Sequence, residues 1–215
     1  VGLLVIVIGL ASSSLLTPLN YEMTGAPEDI SETMGSFADN PSRVGASMTG
    51  FLFEAASIVL LAVLLFVVLR SQNPVLARWA YGLWVLEAVF LALRQIFAFC
   101  LLYTSQDFVA AGSPIDSHFQ TMGGLFYTLI HFSYDVQMVF YCVGGIVFYY
   151  LLFRSGYVPK ALSAYGVAVA SLGLAGEVAA ILGNTVPLWV FLPILPFELG
   201  IGVWLVVKGV SRTSE

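Results

Sequence analysis

The sequence predicts an all-α polytopic membrane protein: a bundle of six transmembrane helices with both termini cytoplasmic. Three observations predict it. Hydrophobic residues make up 59% of the chain and charged residues 10%, against about 25% charged in soluble domains, and mean hydropathy is +0.93. The apolar residues fall into six continuous runs, each close to the ~20 residues that cross a bilayer core. These runs lack the period-two alternation that strands of a membrane barrel need. Third, the basic residues gather at alternate ends of the runs, which sets the orientation.

The spans read as Val1–Leu19, Ala46–Leu69, Trp79–Tyr103, Thr121–Phe153, Ala161–Gly183 and Leu188–Lys208, one transmembrane domain over residues 1–215. An uncut first helix fits the topology better than a secretory signal core ending at Ala11-Ser12-Ser13-Ser14. Arg70 and Arg78 flank the second connection, Arg154 and Lys160 the fourth, and Lys208 and Arg212 the last span, so these ends are expected in the cytoplasm. The opposite connections carry Glu22, Glu28, Asp29, Glu32, Asp39, Asp107 and Asp116, and they account for most of the net charge of −5. Nucleic acid is therefore not an expected partner, and the implied surroundings are a lipid bilayer, with other membrane subunits or a second copy as further candidates.

Residues 20–45 form an acidic outer loop. Within it, PEDISETMGSFADNP sets Ile30, Met34 and Phe37 on one face of a short amphipathic helix that opens after Pro27 and stops at Asn40-Pro41. Such a helix either rests on the outer leaflet or closes an outward-facing pocket. Cys100 and Cys142 supply neither a disulfide framework nor a metal signature.

The candidate functional residues are the charges inside the spans. A charge at the bilayer centre costs about 2.5–3.5 kcal/mol on insertion scales, so it normally faces protein and finds a partner. Counting about 1.5 Å per residue from the cytoplasmic ends puts Glu54, Arg94, Asp135 and Glu177 roughly 22–25 Å deep, and Glu87 and Glu198 at about 12–15 Å. His131 lies one turn beyond Asp135. The outer group, Glu54, Arg94, His131, Asp135 and Glu177, reads as a polar core or ligand site. At matched depth Arg94 is expected to pair with Asp135, and the stripe Gly124, Thr128, His131, Asp135, Met138, Cys142, Gly145 and Tyr149 is expected to face protein. The inner pair, Glu87 and Glu198, has no basic residue at its depth and is expected to share a proton or bond to backbone near a kink at Pro193 and Pro196. One histidine in a span and no nearby cysteine make a metal site or haem a poor reading, so no cofactor is expected.

LRSQNPVLARWAYGL and FRSGYVPKALSAYGV share Arg-Ser, a proline and Ala-Tyr-Gly at matching spacing. Three accounts fit so short a match: the second and third spans are a copy of the fourth and fifth, with a site where the copies meet, or two turns share the same requirements, or the likeness is chance.

The segments YLLFRSGYVPKALSAYG and PFELGIGVWLVVKGV, the Glu87-Ala88 pair and the His131–Asp135 spacing resemble the bacterial six-helix integral membrane family catalogued as domain of unknown function 4386. The resemblance implies six helices and the inner membrane of a bacterium, and no activity. Two functional readings stand. One is a protein that binds or transports a small molecule, cation or proton through the outward carboxyl cluster, and the other is an accessory subunit of a larger membrane complex. Serine–histidine, paired-metal and phosphate-cradling motifs are absent, which weighs against an enzyme.

Overall fold

The computed structural model describes residues 30–114 and 117–209. Six α-helices follow in order: α1 Ile30–Asp39, α2 Pro41–Leu69, α3 Pro74–Ala110, α4 His118–Ser155, α5 Lys160–Ile181 and α6 Ile194–Lys208, with a 3₁₀ turn Leu188–Val190 ahead of α6. Five stretches are long and apolar enough to cross a membrane: α2, α3, α4, α5 and Leu188–Lys208. The expected span Val1–Leu19 lies outside the described residues, so the chain is an all-α bundle with five such helices in view.

Both hairpin turns lie at one end of the bundle, here the turn end, and are built differently. Between α2 and α3 the Asn73 side chain accepts from the backbone N–H groups of Val75 and Leu76, both at 3.1 Å. Pro74 follows at the first helical position, where a missing N–H costs nothing. Between α4 and α5 the chain reverses at Gly156 in a left-handed conformation, φ +68°, which a side chain would resist. The matching serines make the same bond in both turns, Ser71 to the Val68 carbonyl at 3.4 Å and Ser155 to the Leu152 carbonyl at 2.9 Å, so part of the likeness is a shared turn requirement.

α3 and α4 are the longest elements, with 37 and 38 residues, or about 55 Å at 1.5 Å per residue, well beyond a ~30 Å hydrocarbon core. The extra length projects at the opposite, loop end. α3 continues past its apolar run, where Thr104 and Ser105 bond back to the carbonyls of Cys100 and Leu101, at 2.9 and 2.7 Å. α1 covers this projection. Its Met34 and Phe37 are fully buried and cluster with Ala98, Leu101, Leu102 and Phe108 of α3 and with Tyr127 and Ile130 of α4. Gln120 donates to the Ser31 hydroxyl at 2.7 Å, tying the start of α4 to α1.

The main core lies toward the turn end, where α2 to α6 all contribute. Close approach there depends on small residues of α5. Its buried stripe runs Ser163, Gly166, Ala170, Gly173 and Glu177, and a Cβ at Gly166 would run into the Phe197 ring of α6. The prolines before α6 act as a break rather than a kink. Phe191–Pro193 forms a turn, and α6 starts afresh at Ile194 with Pro196 in its first turn, where no intrahelical N–H is needed.

Candidate functional site: a buried acid cavity

α3 presents one continuous buried stripe, Ala77, Ala80, Trp84, Glu87, Leu91, Arg94, Ala98 and Leu101, at the alternating spacings of three and four that keep one helix face inward. Two of these side chains carry charge. Glu87 is 5% exposed and Arg94 3%. Seven residues separate them, about 10 Å along the axis.

Glu87 lines a partly open cavity of about 40 Å³ between α2, α3, α4 and α6. That is room for about three water molecules. Ile58, Leu61 and Leu65 of α2 and Ile201 and Leu205 of α6 make most of the wall apolar, and the polar groups are Glu87, Glu198, Tyr141 and Tyr149. The Tyr141 hydroxyl donates to Glu198 Oε1 at 2.7 Å, and the Tyr149 hydroxyl adjoins that of Tyr141. Tyr141 is itself held by Trp84. The two rings stack at 6.2 Å with an interplanar angle of 4°, and the indole Nε1–H donates to the Tyr141 carbonyl at 3.1 Å. Glu87 Oε2 is buried with no hydrogen-bond partner among the described residues. Glu54 is near enough for its charge to act on both Glu87 and Glu198, so the outer and inner layers meet at this residue.

The expected Arg94–Asp135 pair is not formed. Asp135 is half-buried and makes no ion pair among the described residues. The Arg94 guanidinium carbon instead lies 5.3 Å from the Phe51 ring centroid and 5.4 Å from that of Tyr134, a cation–π sandwich between α2 and α4. The depths match but the azimuth does not, because Asp135 follows Tyr134 and points about 100° further round the helix.

The polar stripe on α4 needs the same correction in its outer half. Thr128 is exposed and Gly124, His131 and Asp135 are half-buried, while Gly123, Tyr127 and Ile130 face protein. Farther along, Cys142, Gly145 and Tyr149 are buried as expected. His131 lies against Tyr127, ring centroids 4.3 Å apart, with Nε2 buried and unbonded. Asp135 lies within electrostatic range of Glu177, which is 2% exposed. Among the described residues no three His, Cys, Asp or Glu side chains are grouped as a metal site.

Trp84 and Tyr141 are site residues that polarity alone passes over as packing, and they join Tyr149, which stands on the stripe expected to face protein. Their signal is spacing: Tyr141 and Tyr149, eight residues apart, share a face of α4.

Fold and site together define a polytopic helical membrane protein with a small acid-lined cavity inside the bundle. The chain belongs to the family of the domain of unknown function DUF4386, whose family model matches residues 1–209. No curated protein and no solved structure matches the chain.

Proposed function

We propose that the protein binds a proton at the Glu87–Glu198 cavity and passes it along the bundle, as a proton-binding or proton-coupled transport protein. The observation that carries this reading is the unbonded Oε2 of a nearly fully buried Glu87 beside a second carboxyl. Among the described residues an ionised carboxylate there has neither a cation nor a full set of donors, and a bare buried charge is far costlier than a protonated acid. The size of the cavity favours a proton and a few waters, since even benzene needs a cavity of about 150 Å³. Tyr141 and Tyr149 add hydroxyls that both donate and accept, the property a proton path requires.

The test is proton flux into proteoliposomes under an imposed membrane potential, read with a trapped pH dye. Wild-type protein is expected to carry protons, and Glu87→Gln, nearly the same shape without the titrating group, is expected to abolish the flux while the folded yield holds. Glu198→Gln keeps an oxygen facing Tyr141 and is also expected to fold normally. Wild-type liposomes as proton-tight as empty ones, or unchanged flux in Glu87→Gln, would overturn the reading.

In the same reading the protein spans a bacterial inner membrane with the turn end cytoplasmic, supported by Arg70, Arg78, Arg154 and Lys160 at that end. A cysteine at Ser36 is expected to react with an impermeant maleimide added outside intact cells, and one at Ser155 only after lysis. The reverse pattern would invert the orientation.

A further inference from the structure

Glu177 is the one large side chain on the small-residue stripe of α5. It is 2% exposed, and among the described residues it makes neither a hydrogen bond nor an ion pair. Register explains what it meets. A Cβ at Gly173 would lie 3.1 Å from the Cys142 sulfur of α4. α4 and α5 run antiparallel, so the next turn of α5 toward the loop end, at Glu177, is level with α4 about one turn before Cys142, near Met138. A glutamate reaching one further turn from there extends toward Asp135, whose charge acts on it. Asp135 is half-buried and has no ion-pair partner among the described residues.

We infer that Glu177 and Asp135 form a second acid pair that holds one proton between them, separate from the cavity and on the loop-end side of it. The nearest cation among the described residues, Arg94, acts on Tyr134 and His131 rather than on either carboxyl. Tyr134 and Cys142 of α4 are the further titratable groups within range of Glu177. Arg94 of α3 is turned to Phe51 and Tyr134, and His131 packs on Tyr127. On the remaining side Val190 and Phe191 close against Gly176. With Glu177 buried and Asp135 half-buried beside it, one shared proton is the simplest neutralisation of the pair. Cys142 lies within electrostatic range of both Glu177 and Glu87, so the pair is the neighbouring station to the cavity along the bundle.

This inference rests on the proton reading of the cavity only for its role as a station; the pair itself is tested by residue. Infrared spectra of the protein in lipid at neutral pH are compared between wild type and the Asp135→Asn, Glu177→Gln double variant. The double variant is expected to lose the carbonyl stretch of one protonated acid, and loss of none or of two overturns the pair. Adding sodium chloride to wild type is expected to leave the band unchanged, whereas its disappearance would show a bound cation in place of the proton. If the double variant is not recovered folded, a hydrophobic carbodiimide, which couples only to protonated carboxyls, is applied to wild type and the peptides are read by mass spectrometry. One adduct per chain, on Asp135 or Glu177, is expected, and none or both overturns the inference. An adduct on Glu87 reports separately on the cavity.

Discussion

Arg94→Leu is expected to destabilise the folded protein by about 3–5 kcal/mol, the usual cost of stranding one member of a buried ion pair. Most of that loss should return when Glu54 is also made leucine, and none of it when Asp135 is. The choice of partner follows from which rings flank the guanidinium. Phe51 of α2 lies 5.3 Å from it, and Glu54, three residues on, shares that buried face of α2. Asp135 sits round the side of α4 beyond Tyr134, the ring that faces the guanidinium. Unfolding titrations in mixed micelles of wild type, three single variants and two double variants give two coupling energies. A large energy for Arg94 with Glu54 and one near zero for Arg94 with Asp135 is expected, since distant independent sites add. The reverse ranking would restore the Asp135 pairing. Additive losses in both cycles would make Arg94 a cation held by aromatic faces alone.

How far the sequence could lead is visible in that comparison. The long apolar runs were legible because hydropathy over a span is a sum, insensitive to any single residue, and a span within view stands as a helix for each run from the second onward. Depth was legible too, since a helix rises by a constant step. Glu87 and Glu198, equal in depth by counting, line one cavity. Azimuth was not. Over the outer half of α4 the most polar stripe reads as the inward one, but what packs there is the apolar face of α1, seated on Tyr127 and Ile130, so polarity points the wrong way. The cavity had no local signal, because its volume is what remains when residues of four helices fail to fill the space between them. The roles of Trp84 and Tyr141 depend on that same non-local packing.

Gly144→Leu is expected to disrupt the cavity and the stability of the bundle together. α3 and α4 approach so closely at this point that a Cβ on Gly144 would stand 2.5 Å from Trp84 Cδ1 and 2.8 Å from its Nε1. The indole has nowhere to retreat, being 5% exposed and held edge-on to Phe148 at 4.8 Å. Forcing it aside adds an overpacking cost of about 1–3 kcal/mol and leaves a buried indole N–H without its Tyr141 carbonyl, about 1–3 kcal/mol more. Tyr141 stacks on the same indole and carries the hydroxyl that bonds Glu198, so the displacement reaches the acid site directly. Gly144→Ala is the graded version: lower stability and reduced proton flux, with the fold retained. Trp84→Phe in the Gly144→Ala background replaces the indole by a smaller ring that lacks Nε1 and has room to turn from the new methyl, and is expected to recover stability but not flux, because the bond to the Tyr141 carbonyl is lost as well. Recovery of both would mean that the indole matters only for its bulk. If neither recovered, the damage from Gly144→Ala would have to lie at another contact, such as Leu83, whose Cβ stands 3.2 Å from the same point.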